Sequence, residues 1–448
     1  MWTIHEAAAA IRERSLSAVD LLETCLQRIE QTEPRLRAWV LVDRERARGE
    51  AEARDREARR GEWRGPLHGI PLGIKDIIDV FDWPTAAGSR LWAGSVARQD
   101  ATVVRRLRAA GAVLVGKTVT TQYASFDPPP TRNPWNFSRT PGGSSSGSAA
   151  AVAAGTCLGA LASQTGGSIT RPASFCGVAS CKPTYGRVSC HGIVPLAHSM
   201  DHPGPMARCV ADLAILLQVI AGPDPLDPAS AERTVPDYRA RLSAGSAPPR
   251  VARARGFFVE HADPATAAHV EQVAATLKAK GAEVVDVALP AAFAEVSERH
   301  RVVMAVEAAQ FHEPRLRRHP EDYEPNITQL LNEGLSCPAP EYARCKEHQR
   351  ALSRSMRTLL KDFDALLTPA TKGPAPDAAT TGDPVFNSPW SYTGLPTVSF
   401  PTGRSADGMP LAIQLVGGAF AEAELFAAAA WCEKALGFVL GEPPLTAK

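Results

Sequence analysis

The sequence predicts an α/β protein: one large domain with a mixed or parallel β-sheet covered by helices. Three observations predict it. Short β-branched runs alternate with amphipathic helical stretches from Gly65 onward. No internal repeat and no true linker divides the chain. Its 448 residues, 44% hydrophobic and 22% charged, supply material for a sizeable core. Length alone would suggest about three units, but strand and helix signals resume after the longest Pro-rich stretch, so one domain is expected.

The elements follow in order. Ser17 reads as an N-cap with Asp20 in the first turn, and Leu22, Cys25, Leu26 and Ile29 recur at helical spacing. Pro34 is expected to close that helix, residues 38–42 form a strand candidate, and the Arg/Glu-rich segment 43–60 reads as a solvated helix. Strands are then expected over 73–78 and 112–116, with a helix over 102–110. Residues 224–250, rich in Pro, Ser and Ala, read as a surface excursion. Strand signals return at Val251 and 283–287, and Asp263-Pro264 opens a helix to Lys280 as an N-cap followed by proline. Later strands are expected at 365–367, 397–400 and 411–416, before a helix over 422–436. The single domain 1–448 thus has a helical N-terminal segment (1–64), a central core (65–222), an excursion (223–250) and a C-terminal part of the same sheet (251–448).

Charge narrows the function. Lys and Arg number 49 against 48 Asp and Glu, a net +1, which gives no global field to draw a polyanion. Neither a nucleic-acid nor a membrane partner is expected. Nine cysteines, from Cys25 to Cys432, include no CxxC pair, and the cluster Cys176, Cys181, Cys190 lacks zinc spacing. Reduced thiols in a cytoplasmic protein are the expectation. Residues 1–16 carry Glu6, Arg12, Glu13 and Arg14 where a signal peptide needs an apolar stretch, and the apolar window 213–220 is too short to span a bilayer. His191, His198 and His202 lie in a loop-rich stretch with Pro195 and Pro203, so no metal is expected there. Trp135 and Trp390 read as packing residues.

Three stretches could carry chemistry. Residues 141–148 (Pro-Gly-Gly-Ser-Ser-Ser-Gly-Ser) form a Gly/Ser loop running straight into a helix of small residues, 149–155; such a loop holds unusual backbone geometry. It resembles half a phosphate loop, but Ser148 stands where lysine is required. It also fits GxSxG, a nucleophile elbow that needs a downstream Asp and then His; no histidine follows His348, so His300, His312, His319 and His348 are the candidates left to that weaker reading. The second stretch, 163–172, places Gly166-Gly167 before Ser168, so that successive unencumbered N–H groups could form an oxyanion hole beside a hydroxyl. The third is Lys75, a lone cation in an apolar run, where burial would favour the neutral amine; adjacent Asp76 offers an ordinary ion pair instead.

Together these pieces resemble the amidase signature family of Ser-Ser-Lys hydrolases. The resemblance rests on Gly-Ile-Pro-Leu-Gly-Ile-Lys75-Asp, Arg132-Asn-Pro-Trp-Asn136, Pro-Gly-Gly-Ser144-Ser, Thr-Gly-Gly-Ser168, Cys181-Lys-Pro-Thr-Tyr-Gly-Arg187 and the segment 201–221. It implies a mixed sheet in one α/β domain, Ser168 as nucleophile, Ser144 as bridging serine after a cis peptide, and Lys75 as base. The backbone N–H groups of Thr165, Gly166, Gly167 and Ser168 would hold the oxyanion. It implies an amidohydrolase acting on a small-molecule amide with neither cofactor nor metal, and leaves a homodimer open. Many relatives carry Asp where this chain has Gln164 and Arg where it has Thr170; here the arginine is displaced to Arg171. Malonamidase-like members share that arrangement, which implies substrate binding by Gln164 and by Arg171 on a carboxylate; a protein carboxylate is the other partner Arg171 could take. The alternatives are the catalytic subunit of a tRNA-dependent amidotransferase, which works with partner subunits, and a non-catalytic protein on the same fold.

Overall fold

Eleven strands form one mixed sheet in the computed structural model of the protein, which describes residues 1–243 and 247–445. They are β1 (Trp39–Val42), β2 (Pro71–Lys75), β3 (Val113–Thr118), β4 (Gly159–Gln164), β5 (Ala179–Lys182), β6 (His202–Ala207), β7 (Arg250–Ala254), β8 (Glu283–Val287), β9 (Ala365–Pro369), β10 (Thr397–Arg404) and β11 (Pro410–Val416). Their spatial order is β1-β3-β2-β4-β6-β5-β10-β11-β9-β7-β8. β3, β2 and β4 run parallel, as do β9, β7 and β8, and the strands from β4 through β6, β5, β10 and β11 to β9 pair antiparallel.

Helices cover both faces. Those of the first half are α1 (Ile4–Arg12), α2 (Ala18–Leu36), α3 (Arg44–Arg59), α4 (Thr102–Ala109), α5 (Ser146–Ala153), α6 (Thr170–Cys176) and α7 (Val210–Ile220). The rest are α8 (Tyr238–Ser243), α9 (Phe257–His261), α10 (Pro264–Ala279), α11 (Val296–Arg318), α12 (Pro325–Ser336), α13 (Ala339–Leu360), α14 (Ser388–Tyr392) and α15 (Glu422–Leu436). Alternation along the central strands feeds two cores. Val113, Val115, Ala160 and Ala162 join α2, α3, α5 and α6 on one face, while Leu72, Ile74, Leu114 and Leu161 join the larger core on the other.

Most expected elements lie within a residue or two of their places, and the exceptions have physical causes. Ser17 caps α2 by accepting from Asp20 N at 3.0 Å, but the helix passes through Pro34 to Leu36. The proline falls in the last turn, where its missing N–H costs a single ladder bond. The excursion contains the short helix α8; residues 244–246 lie outside the described residues. Three central strands, β4, β5 and β6, carry no β-branched signal: they read Gly-Ala-Leu-Ala-Ser-Gln, Ala-Ser-Cys-Lys and His-Pro-Gly-Pro-Met-Ala. Tertiary packing overrides their weak propensity. Pro203 and Pro205 fit an interior strand because β5 pairs only with Met206 and Ala207 of β6.

The small-residue helix α5 is buried along its whole length. A Cβ on Gly147 would stand 2.2 Å from Ala38 O and 2.3 Å from Val119 N. Glycine there lets α5 press against the backbone beside β1 and β3, which fixes the loop preceding it.

Candidate active site

Lys75 ends β2, a strand buried on both faces between β3 and β4, and it is wholly inaccessible. Its Nζ donates to Ser144 Oγ at 2.7 Å and to Ser163 Oγ at 2.8 Å. Burial drives the amine down to about 7, a shift that the charge of Asp201 partly opposes. Asp76 does not pair with it. The next residue along the chain faces the other way and forms a buried ion pair with Lys117 at 2.9 Å. Lys75 is therefore left with hydroxyl partners, the setting in which an amine can give and take a proton.

Ser144 lies in the loop leading into α5, and the Gly143–Ser144 peptide is cis. Its carbonyl accepts from Thr121 N at 3.1 Å, and Ser145 Oγ donates to Ser163 O at 3.2 Å. Ser168 follows β4 by a short bend and directly precedes α6, almost buried at 7% exposure. Among the described residues, the backbone amides of Gly166, Gly167 and Ser168 have no protein acceptor. Thr165, the first of this run, is held from two sides: its carbonyl accepts from His300 Nε2 at 2.9 Å, and its hydroxyl donates to Asp201. Asp201 is fixed in turn by Leu196 N at 2.9 Å and Ala197 N at 3.1 Å, with burial pushing its carboxyl up to about 6.

Gln164 and Arg171, expected at the substrate, are both buried and bonded to protein groups. Gln164 is buried; its Oε1 accepts from Ile169 N and Thr170 N, both at 3.0 Å, and its Nε2 donates to Ser391 Oγ at 3.2 Å. It caps α6 in place of a polar residue at Ile169. Arg171 is 1% exposed. Its Nη1 donates to Gly382 O at 2.6 Å and its Nη2 to Gly143 O at 2.8 Å and Thr381 Oγ1 at 3.3 Å. Among the described residues Arg171 forms no ion pair; its Nη atoms hold two carbonyls and a hydroxyl, while Nε is buried without a partner. Because α6 begins just after Ser168, while Gly143 precedes Ser144, Arg171 ties the two serine segments together.

Two neighbours were given no part in the Ser-Ser-Lys site by the sequence. Ser163 is an unremarked strand serine, and His300 comes from α11, 135 positions from Thr165. Burial holds the His300 imidazole down to about 4, so it is neutral at physiological pH, with Nε2–H donating to Thr165 O. His191, His198 and His202 have separate partners in Gln99, Glu307 and Met200.

A cavity of about 610 Å³ opens next to this network. Ser163, Thr165 and Ile77 line it, although Ser168 is not in its wall. Ala124, Ile193, Val194, Leu196 and Leu226 make most of the lining apolar, and its acids are Asp201 and Asp227, with no Lys or Arg in the wall.

A mixed sheet of this order, with a buried lysine bonded to the serine before α5, is the architecture of amide-cleaving hydrolases. The chain belongs to the amidase family, whose model, described as Amidase, matches residues 20–426. It is 37% identical to a glutamyl-tRNA(Gln) amidotransferase subunit from Chloroflexus aggregans, over 94% of each chain. A chain solved in the vestigial protein complex of an s-triazine catabolic enzyme superposes with a TM-score of 0.92 at 34% identity, covering 98% of this chain and 99% of that one. The native peptide amidase from Stenotrophomonas maltophilia superposes at 0.86 with 32% identity, covering 99% and 98%. No helix among the described residues is long and apolar enough to cross a membrane.

Proposed function

We propose that the protein hydrolyses the C–N bond of a small, uncharged or apolar amide through an acyl-enzyme on Ser168, with Ser144 and Lys75 as proton relay. The observation that carries this reading is the 2.7 Å bond between the Lys75 amine, free of any carboxylate partner, and Ser144 Oγ. A neutral Lys75 keeps one N–H on Ser163 and offers its lone pair to the Ser144 hydroxyl. As Ser168 Oγ attacks the carbonyl, its proton passes to Ser144 and that of Ser144 to Lys75. The oxyanion meets the free amides of the 166–168 run, where each donor is worth roughly 10²–10³ in rate. The proton returns along the relay to the leaving nitrogen, which departs as ammonia or an amine. Water then cleaves the ester by the same steps, leaving a carboxylic acid.

The substrate class follows from the cavity. A wall without Lys or Arg, and with Asp201 and Asp227 in it, disfavours a carboxylate-bearing amide, and both terminal nitrogens of Arg171 are engaged by protein oxygens. A panel of small amides with and without a carboxylate, followed by ammonia release, tests this: neutral apolar amides should turn over faster, and a preference for the acids overturns it. Ser168→Ala should abolish turnover; retained hydrolysis sinks the nucleophile assignment.

A second reading, in which the chain delivers ammonia to a tRNA-bound acyl group, draws support from the 37% identity to an amidotransferase component. It predicts that the chain alone is nearly inert on every amide of the panel and awakens only with partner subunits.

A further inference from the structure

Away from the candidate active site, the start of α7 faces the start of α1. Cys209 is the N-cap of α7 and Asp212 lies in its first turn, and His5 is the second residue of α1. His5 Nδ1 lies 2.8 Å from Asp212 Oδ1 and 3.8 Å from Cys209 Sγ. All three ligand atoms fall within 4.8 Å of one another. Zinc bonds of about 2.0–2.3 Å place tetrahedral ligand atoms roughly 3.3–3.6 Å apart, so a small movement of the His5 ring seats an ion among them. Imidazole, cysteine sulfur and carboxylate together make a borderline-soft donor set suited to zinc rather than to calcium or magnesium, and binding would displace the proton that burial holds on Cys209 and the one that the Asp212 bond favours on His5.

The surroundings suit a cation. Asp212 is buried, and its two oxygens already accept Ile4 N at 2.9 Å and His5 N at 3.0 Å, which orients the carboxylate as a supporting bond orients a metal ligand. Glu433 adds a second acid next to Cys209, held by Val210 N at 3.2 Å. The His5 side chain is 46% exposed, so an ion has an entry path and a water can take the fourth position.

We propose that His5, Cys209 and Asp212 bind one zinc-class ion that fastens α1 to α7. The test uses the full chain stripped with EDTA and titrated with Co²⁺, then Zn²⁺. One Co²⁺ per chain should bind with a thiolate-to-cobalt absorption in the near ultraviolet, and Cys209→Ser should abolish that band. His5→Ala, which keeps both backbone bonds to Asp212, should weaken binding by about tenfold or more, and Zn²⁺ should raise the Tm of the parent but of neither variant. Absence of saturable Co²⁺ binding overturns the proposal, as does a charge-transfer band that persists in Cys209→Ser.

Discussion

An amine that burial holds near 7 is half neutral at neutral pH, and this sets the pH behaviour of the proposed relay. Only the neutral form accepts a proton, so kcat/KM for amide hydrolysis should fall about tenfold per pH unit below 7 and level off above it. Lys75→Ala should remove most of the rate together with that limb; normal amide turnover at neutral pH in this variant would overturn the relay. Ser163→Ala withdraws an oxygen that favours the charged ammonium, so the limb should move to lower pH while kcat drops and KM stays nearly constant. An unmoved limb in a pH–rate profile refutes that role. Lys75, Ser144 and Ser168 could be singled out as candidates from sequence because glycine-rich runs and a lone cation in an apolar strand are rare, and the structure shows the Lys75–Ser144 contact. Ser163 and His300 could not be placed there, since a strand serine and a helix histidine look ordinary until folding sets them beside Lys75 and Thr165.

At the scale of elements, α6 is a seven-residue helix whose first amides are capped by the Gln164 side chain. Removing the Arg171 guanidinium leaves the Gly143 and Gly382 carbonyls buried without it. Arg171→Met should cost about 1–3 kcal/mol, read as a lower denaturation midpoint, and should depress turnover of neutral and acid-bearing amides alike. A loss confined to acid-bearing amides would restore the carboxylate role. Gln164→Ala uncaps Ile169 and Thr170 and should cost about 1–2 kcal/mol in the same measurement. Sequence spacing showed that an arginine follows the serine; it could not show which way the side chain turns. That direction depends on α6 and on a loop some 210 residues later. The same limit explains β4, β5 and β6: Ala, Gly and Pro carry little strand propensity, and only neighbours on both sides make them strands.

For the whole molecule, one sheet runs from β1 at one edge to β8 at the other, and the first-half elements are interleaved with late ones. β5 lies between β6 and β10, so residues 179–182 are flanked by residues from 202–207 and from 397–404. Fold class and single-sheet organisation were legible from alternating patterns, whereas strand order was not, because pairing partners this distant leave no local mark. Arg171 and the Gly382 carbonyl it grips are separated by 211 positions, and this has a consequence during synthesis. A ribosome adds about 5–20 residues per second, so the guanidinium waits roughly 10–40 seconds for that acceptor to be made. Lys75, Ser144 and Ser168 all emerge before the wait begins. The nascent chain thus holds all three proposed reacting groups early and the clasp between their loops last, so the proposed hydrolysis is expected only once translation is nearly complete.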